Sequence, residues 1–272
     1  MINTSTKFLA ILGNPVSHSF SPQMHNIWFA RENLNFAYLA FAPSQNNLKK
    51  TVQSLKILGF YGANITVPYK VSIMKELKFI DKAAKKIGSV NTLKFKDGKL
   101  YGYNTDYLGL LKDWEDKKIN FSDQNVLVVG AGGAAKAVIY ALKIKKPKNI
   151  FITNRTLSKA ASLAGIFKIK VLPVDKVESS FSNVDILINA SSCGMNKDDR
   201  LFFKISDFNK QTIMYDLIYN KNTPFIEFAK SKKLKFYSGI GMLVRQGAYS
   251  FKIWTGIYPS IKTAENFFKK LS

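Results

Sequence analysis

The feature that most constrains the fold of this 272-residue chain is an apolar strand that runs directly into a glycine-rich loop. Val126–Val129 are apolar, and Gly130-Ala131-Gly132-Gly133-Ala134-Ala135 follows them, before a helical pattern over 134–142. In a G-x-G-x-x-A loop the first glycine permits a tight turn, the second lets a pyrophosphate approach the backbone, and the small third residue lets the helix pack on the strand. The N–H groups at the helix N-terminus then face the phosphates. We interpret the segment as a dinucleotide site; the alternative is a glycine-rich turn that binds no nucleotide.

The end of the next predicted strand, 149–153, indicates which dinucleotide binds. An NAD site carries an Asp or Glu about 20 residues after the loop, where it holds the ribose 2′-hydroxyl. Here the strand is followed by Asn154-Arg155-Thr156, without an acidic residue. The Arg155 guanidinium would pair with a 2′-phosphate through charge-assisted hydrogen bonds, and Lys159 lies one helical turn further on. The pattern therefore predicts NADP(H), the alternative being an ordinary surface arginine.

Short apolar runs alternate with longer helical patterns along the chain, which predicts an α/β fold with parallel layers. Strands are predicted at 7–12, 36–42, 62–67, 92–95, 99–103, 125–129, 149–153, 185–188 and 212–216. Helices are predicted from Pro22 onward and at 48–58, 71–87, 106–117, 134–142, 157–164, 224–231, 243–256 and 263–271. Asp97-Gly98 predicts a tight hairpin between two of the strands. A change of domain is expected near 105–118.

The chain has 41 Lys and Arg against 18 Asp and Glu, a formal net charge of +23 that two functions could explain. One is a nucleic-acid surface. However, 37 of these residues are lysines scattered along the chain and only four are arginines, whereas recognition of phosphates and base edges relies heavily on guanidinium groups. We therefore favour a solvated lysine coat on a protein with an anionic small-molecule ligand and no nucleic-acid partner.

The cysteine and histidine content narrows the chemistry further. Cys193 is the single cysteine, and the two histidines are His18 and His25. This is too few for a disulfide framework or a zinc site built mainly from N and S ligands, so no metal is predicted and both histidines are expected to be structural. The apolar stretch 8–12 is too short for a signal sequence or a membrane span. A soluble cytoplasmic protein without a membrane partner is expected.

Polar residues occur in loops ahead of the dinucleotide unit. Ser19 and Ser21 alternate on an extended segment just before a helix, and hydroxyls at a helix N-terminus suit a carboxylate. The alternative for Ser21 is a simple N-cap. Lys70 follows a strand stopped by Pro68, at the carboxyl edge where ligands bind in open α/β sheets. The alternative for Lys70 is one more surface lysine.

Seven blocks in this order make the sequence similar to the shikimate dehydrogenase family, and together they cover almost the whole chain. The blocks are Ser19-x-Ser21-Pro22, Asn64-x-Thr66-Val67-Pro68-x-Lys70, Asn91-Thr92, Asn104-Thr105-Asp106, the glycine loop with Asn154-Arg155-Thr156, Asn189-Ala190-Ser191-Ser192-Cys193-Gly194-Met195, and Gly241-Met242-Leu243-Val244-x-Gln246. The resemblance implies an N-terminal α/β substrate domain over 1–106, completed by helices at 242–272, and an inserted Rossmann-type NADP domain over 107–241. It implies reversible NADPH-dependent reduction of 3-dehydroshikimate to shikimate, a step of chorismate and aromatic amino-acid biosynthesis.

The resemblance also assigns roles to individual residues. Lys70 and Asp106 would be the catalytic pair. The residues that would bind substrate are Ser19, Ser21, Asn64, Thr66, Lys70, Asn91, Asp106, Tyr219 and Gln246. Those that would bind NADP are Gly130, Ala131, Gly132, Gly133, Ala134, Asn154, Arg155, Thr156, Ser191, Gly239 and Met242.

Three other functions stay open at this stage. Within the family, the alternative is a quinate/shikimate dehydrogenase that uses NAD or NADP. Outside enzymes, it is a basic nucleic-acid-binding α/β protein, and a weaker option is a regulator that binds NADP without catalysis. The sequence is compatible with a monomer or a homodimer.

Overall fold

Two sheets, each of six strands, organise the part of the chain that the structure describes, which is residues 2–194, 203, 208–219 and 223–270 of a computed structural model. The chain divides into a first unit, Met1–Gly109 with Val244–Ser272, and a second unit, Leu110–Leu243, and each sheet belongs to one of them. The predicted boundaries, 106/107 and 241/242, and the observed divisions lie in or next to the same two helices. Met195, from one of the sequence blocks, lies outside the described residues.

The first unit has a mixed sheet rather than the parallel one that the alternation predicts. Its elements are β1 (Lys7–Leu12), α1 (Ser21–Arg31), β2 (Phe36–Phe41), α2 (Leu48–Ile57), β3 (Gly62–Ile65), β4 (Phe79–Ile80), α3 (Lys82–Ile87), β5 (Thr92–Lys96), β6 (Lys99–Tyr103) and α4 (Asp106–Asp116). The strand order is β2-β1-β3-β5-β6-β4. β1 pairs parallel with β2 and β3, whereas β5 runs antiparallel to β3 and β6. The hairpin accounts for the antiparallel pairing of β5 with β6, since Asp97 and Gly98 both have positive φ, 50° and 68°, as a type I′ turn requires.

The predicted helix over 71–87 is wrong. The segment contains a 3₁₀ helix (Ser72–Glu76), strand β4 and the short helix α3. Phe79 and Ile80 pair with β6, which demands an extended backbone. Asp81 then starts a new helix, because its carboxylate accepts a hydrogen bond from the Ala84 N–H at 2.5 Å. Tertiary pairing and a local cap together override the helical pattern.

The second unit has a sheet in which all strand pairs are parallel. Its elements are β7 (Asn125–Val129), α5 (Gly133–Lys145), β8 (Asn149–Thr153), α6 (Leu157–Phe167), β9 (Lys170–Val171), α7 (Val174–Val177), β10 (Ile186–Asn189), β11 (Ile213–Asp216), α8 (Pro224–Ser231) and β12 (Lys235–Tyr237). The order β12-β11-β10-β7-β8-β9 is that of a doubly wound dinucleotide-binding sheet. α9 (Ile240–Thr255) and α10 (Ile261–Lys269) follow. The very short β9, β12 and α7 were not predicted.

Each sheet has its own apolar core. Val126–Val129 are fully buried, which explains why β7 is a continuous apolar run rather than an alternating one. The second core packs around Leu127, Leu187, Phe181 and Phe225, and one of the first unit's cores packs around Leu12, Ile65, Tyr69 and Leu93.

No helix in the described ranges combines the length and the apolarity that a membrane crossing needs.

Candidate active site

An ion pair in the first unit joins two residues that lie 36 positions apart in the sequence. Lys70 Nζ donates to Asp106 Oδ2 at 2.7 Å. Lys70 lies in the turn after β3, where its carbonyl accepts a hydrogen bond from the Val90 N–H at 2.8 Å, and Asp106 is the first residue of α4. The side chain of Asp106 is 2% exposed and that of Lys70 is 15% exposed, so the carboxylate is withdrawn from water while the ammonium keeps one open side.

Asn91 holds the second oxygen of the Asp106 carboxylate. Its amide nitrogen donates to Asp106 Oδ1 at 2.9 Å, and the Gln246 Oε1 atom lies 3.2 Å from the same nitrogen. Its amide oxygen accepts a hydrogen bond from the Thr105 N–H at 2.7 Å, which ties the residue to the start of α4. Because both carboxylate oxygens have donors, the orientation of Asp106 relative to Lys70 is set by the protein.

Asn64 lies behind this group and has no polar atom without a protein partner. Its Oδ1 accepts a hydrogen bond from the Tyr38 hydroxyl at 2.6 Å, and its Nδ2 donates to the Asn91 carbonyl at 3.0 Å. Thr92 and Ser250 hydroxyls lie 3.1 Å from the same nitrogen. The arrangement suits a residue that positions Asn91 better than one that reads a substrate hydroxyl.

Ser19 and Ser21 contact each other at the start of α1. The Ser21 N–H donates to Ser19 Oγ at 3.3 Å, and Ser21 is buried as the first residue of the helix. Phe20 occupies the N-cap position, so the alternative in which Ser21 is a simple N-cap is wrong. The loop that carries the two serines begins beside the end of β3, where the Asn14 N–H donates to the Val67 carbonyl at 3.0 Å. Thr66, next to Val67, is half-buried there. Within the described residues no hydrogen bond joins the serine pair to Lys70 or Asp106.

The glycine loop of the second unit has the geometry of a phosphate cradle. Gly130 has a φ of +110°, and a Cβ there would lie 2.8 Å from the Ala190 carbonyl oxygen and from the Ser191 nitrogen. Gly132 is the N-cap of α5, and a Cβ there would meet nothing within 4 Å. The first glycine is thus demanded by the fold, whereas the second leaves open space above the helix N-terminus.

Arg155 lies just beyond β8, the strand next to the glycine loop. The Gly130 N–H donates to the Thr153 carbonyl at 2.8 Å, which brings the ends of β7 and β8 together. Asn154 donates to the Thr156 carbonyl at 2.9 Å and shapes the turn. Arg155 is exposed, and it forms no salt bridge with any residue in the described ranges. An accessible guanidinium fits a 2′-phosphate at this corner of the sheet.

The remaining predicted cofactor residues lie on the other side of β7. Ser191 follows β10, and its hydroxyl donates to Asn189 Oδ1 at 2.7 Å. Gly239 packs so closely on the backbone that a Cβ would lie 2.1 Å from the Leu217 carbonyl oxygen. Met242 is buried in the first turn of α9. Tyr219, which was predicted to bind substrate, lies three residues after β11 and is half-buried.

Sequence reasoning missed several residues that hold these sites. Thr105 and Ser250 join the network around Asn91, and Gly109 lies so close to Gln246 that a Cβ would be 2.7 Å from the Gln246 nitrogen. Asp216, the last residue of β11, accepts hydrogen bonds from Asn189 and Ile218. Its position at a carboxyl strand end is the same signal that singled out Lys70.

His25 is fully buried among aromatic rings rather than in a polar site. It stacks on Tyr38 with ring centroids 4.5 Å apart and packs against Trp28 and Trp254. Burial lowers the pKa of His25 to about 3, so the ring is neutral near pH 7. In the described ranges, no three His, Cys, Asp or Glu side chains are placed to hold a metal ion.

Three family models match successive parts of the chain. They describe a shikimate dehydrogenase substrate binding domain (residues 11–93), a shikimate / quinate 5-dehydrogenase (residues 114–211) and a shikimate 5′-dehydrogenase C-terminal domain (residues 239–266).

Relatives match over nearly the full length. The shikimate dehydrogenase (NADP(+)) of Methanocaldococcus jannaschii is 43% identical over 276 aligned positions, which cover 98% of this chain and 97% of that protein. The crystal structure of shikimate dehydrogenase from Aquifex aeolicus superposes with a TM-score of 0.92 at 39% identity, covering 98% of both chains. The shikimate 5-dehydrogenase of Thermus thermophilus, solved in complex with NADP(H) and shikimate, has a TM-score of 0.88 at 32% identity, covering 97% of this chain and 99% of that one. With such identity sustained from end to end, the chain belongs to the shikimate dehydrogenase family.

Proposed function

We propose that this protein is an NADP-dependent shikimate dehydrogenase, which reversibly reduces 3-dehydroshikimate to shikimate in chorismate and aromatic amino-acid biosynthesis. The observation that carries the proposal is the Lys70–Asp106 pair, held at 2.7 Å and oriented by Asn91. It supplies a cation and an acceptor at one place, which is what the reduction of a hydroxylated ketone requires.

The chemistry assigns Lys70 to the reacting carbonyl. Bound NADPH supplies the hydride. As the carbonyl carbon is reduced, negative charge develops on the oxygen, and the Lys70 ammonium stabilises that charge and donates a proton to it. Asp106 orients Lys70 and accepts a hydrogen bond from the neighbouring substrate hydroxyl. In the reverse reaction, Lys70 accepts the hydroxyl proton while the hydride leaves.

The first unit, which includes the helical segment from Val244 onward, binds the substrate. Ser19 and Ser21 hold the carboxylate at the N-terminus of α1, where the helix dipole favours an anion. Thr66, Asn91, Asp106 and Gln246 bind the ring hydroxyls, with Tyr219 as a further contact, and Asn64 supports Asn91 from behind. This assignment is supported by the hydrogen bonds of Asn64, since its Oδ1 and its Nδ2 both already have protein partners.

The residues of 107–241, together with Met242, bind NADP(H), and their structure fits this cofactor. The open space above Gly132 admits a pyrophosphate, and the accessible Arg155, which forms no salt bridge in the described part of the chain, meets a 2′-phosphate. The groups that hold the cofactor are Gly130, Ala131, Gly132, Gly133, Ala134, Asn154, Arg155, Thr156, Ser191, Gly239 and Met242. Lys159, one turn beyond Arg155, adds positive charge.

A spectrophotometric assay tests the proposal. We expect NADPH absorbance to rise when shikimate and NADP⁺ are added together, and to rise far less with quinate or with NAD⁺. Equal rates with quinate, or with NAD⁺, would replace the proposal by a quinate/shikimate dehydrogenase. No reduction of either cofactor would leave a binding protein, and steeply salt-dependent DNA binding would then identify the nucleic-acid alternative.

The proposal extends to the setting in which the enzyme works. We place it in the cytoplasm, as a monomer or a homodimer whose partners are small molecules and not nucleic acid. The dispersed lysine coat supports this choice, since 37 of the 41 basic residues are lysines. Sedimentation with and without DNA measures both the oligomeric state and the absence of a nucleic-acid complex.

A further inference from the structure

We propose that Asp216 is a positioning residue that sets the shape of the nicotinamide side of the cofactor site; the inference rests on the proposed function. Asp216 is the last residue of β11 and lies in register with Asn189, the last residue of β10. It is 2% exposed and forms no salt bridge within the described residues. A buried carboxylate without a cation is retained only where hydrogen bonds hold it, and these bonds indicate its role.

The carboxylate of Asp216 receives three hydrogen bonds. Oδ1 accepts from Asn189 Nδ2 at 2.9 Å and from the Ile218 N–H at 3.0 Å. Oδ2 accepts from the hydroxyl of Thr223, which itself caps α8 by accepting from the Ile226 N–H. Burial raises the pKa of Asp216 to about 6, while the three hydrogen bonds act in the opposite direction, so the carboxylate is mainly ionised at neutral pH.

The first bond helps to orient the amide of Asn189, whose Nδ2 also donates to the Cys193 carbonyl at 3.3 Å. With Nδ2 facing Asp216, the amide oxygen faces the loop after β10, where it accepts from the Ser191 N–H at 3.1 Å and from the Ser191 hydroxyl at 2.7 Å. The Ser191 oxygen in turn accepts from the Cys193 N–H at 3.1 Å. A neutral group at position 216 would weaken the hydrogen bond from Asn189, because an uncharged acceptor binds a donor less strongly than a carboxylate does, and would loosen this chain of bonds.

The second bond fixes another predicted cofactor segment. Holding the Ile218 N–H orders the turn after β11, and the Ile218 carbonyl accepts from the Gly239 N–H at 3.1 Å. Gly239 touches the Leu217 backbone so closely that no side chain fits there. One carboxylate therefore connects the Ser191 loop, the turn after β11 and Gly239.

The sheet order locates this connected group on the nicotinamide side. The glycine loop follows β7, and Arg155 follows β8 on one side of it. A dinucleotide whose pyrophosphate lies at the glycine loop and whose 2′-phosphate meets Arg155 extends its other half over the ends of β10 and β11. Asp216 should thus affect binding of the nicotinamide half and spare the adenine half.

Binding measurements on the full chain separate the two halves. Calorimetric titration of Asp216→Asn should show a dissociation constant for NADP⁺ raised about tenfold, while that for 2′,5′-ADP stays within about twofold of wild type. The matched control is Asp185→Asn, because the Asp185 carboxylate accepts from the Asn125 N–H at 2.7 Å just ahead of β10, at the opposite end of that strand. It should leave both dissociation constants unchanged.

The outcomes of these titrations distinguish a failure of this inference from a failure of the proposed function. The role of Asp216 would be overturned if Asp216→Asn weakened the binding of NADP⁺ and 2′,5′-ADP equally, or weakened neither. It would also be overturned if Asp185→Asn weakened NADP⁺ binding as much as Asp216→Asn does. A wild-type protein that binds neither ligand would overturn the proposed function, and this inference with it. If Asp216→Asn does not fold, the same comparison of the dissociation constants for NADP⁺ and 2′,5′-ADP is made with Thr223→Val. This variant keeps the charge of Asp216 and removes the hydrogen bond that Oδ2 accepts, together with the cap of α8. We expect Thr223→Val to weaken NADP⁺ binding by less than tenfold and to leave 2′,5′-ADP binding unchanged. If the ratio of the two dissociation constants stayed as in wild type, the inference would be overturned.

Discussion

The two candidate sites are built in opposite ways, one from side chains and the other from backbone. In the first unit, Lys70, Asp106 and Asn91 come from three separate segments and meet through side-chain hydrogen bonds. In the second unit, the centre of the site is a loop without functional side chains, where Gly130 is demanded by the fold and Gly132 is left open. The site of the first unit should lose its activity when a functional side chain is removed. The site of the second unit should lose its ligand binding when a Cβ atom is added to a glycine.

The difference follows from what each ligand offers. A ring with a carboxylate and several hydroxyls is distinguished by the direction of individual hydrogen bonds, and directional side chains supply these. A pyrophosphate is a diffuse charge that backbone N–H groups and a helix dipole recognise. In the proposed function, only the 2′-phosphate depends on a charged side chain of the second unit, Arg155.

The largest expected effect is the loss of Lys70. We expect Lys70→Ala to lower the turnover of shikimate by about 10²–10⁴-fold, because no cation then stabilises the alkoxide. The dissociation constant for NADP⁺ should stay close to that of wild type. Steady-state kinetics and calorimetry measure the two quantities, with the exposed Lys78→Ala as the matched control. Near-normal turnover would remove Lys70 from the reaction.

The second prediction compares two alanine substitutions in one loop. Gly130→Ala should lower the free energy of unfolding by about 2 kcal/mol or more, because the φ of +110° and the contact with Ala190 both oppose a Cβ. Gly132→Ala should leave the free energy of unfolding unchanged but weaken NADP⁺ binding about tenfold or more, since its Cβ would occupy the open space in which we propose that the pyrophosphate lies. Urea denaturation and calorimetry separate the two effects. If both variants lost stability equally, the distinction between the glycines would be wrong.

The third prediction concerns the charged side chain of the backbone site. Arg155→Asp should raise the KM for NADPH by about 10–100-fold, because it replaces a charge-assisted contact with a repulsion, and should change the KM for NADH much less. Lys143→Asp makes the same change of charge in the last turn of α5, away from the helix N-terminus. Equal effects on the two cofactors, or an equal effect of the control, would exclude a 2′-phosphate contact.

The smallest expected effect tests the aromatic packing under the side-chain site. His25 has a pKa of about 3 when folded and 6.5 as its ordinary value, so its burial contributes stability above pH 6.5 that is lost as the pH falls toward 3. Between about pH 8 and pH 5, the free energy of unfolding of wild type should therefore fall by about 2 kcal/mol more than that of His25→Phe. This figure uses the slope of about 1.36 kcal/mol per pH unit. Urea denaturation at both pH values measures this.

The control for this last prediction is the exposed histidine. His18→Gln should change the free energy of unfolding by less than about 0.5 kcal/mol, because its side chain is exposed and lies outside the aromatic core. Turnover of His25→Phe at neutral pH should also be unchanged, since His25 contacts Tyr38 and not the Lys70–Asp106 pair. A stability gain that did not depend on pH would show that the histidine is not the titrating group.

Local patterns predicted those parts of the fold that short-range geometry decides. The hairpin at Asp97-Gly98 needs positive φ at two adjacent positions, and the glycine loop needs a residue without a Cβ. The residue types at these positions therefore predict both features. The helix over 71–87 was wrong because the pairing of Phe79 with β6 depends on a strand about twenty residues away. The helix or strand propensity of a short segment carries no information about such a distant pairing strand.

Among the site residues, the sequence by itself determined the chemical types: a lysine at a strand end, an aspartate at a helix start, and an arginine in place of an acid after β8. Only the tertiary structure decided which of them meet. The 2.7 Å contact between Lys70 and Asp106, the bond from Tyr38 to Asn64 and the bond from Asn189 to Asp216 all join distant segments. The physical reason is that a hydrogen bond depends on distance and direction to a specific atom, which packing fixes and which local sequence does not encode.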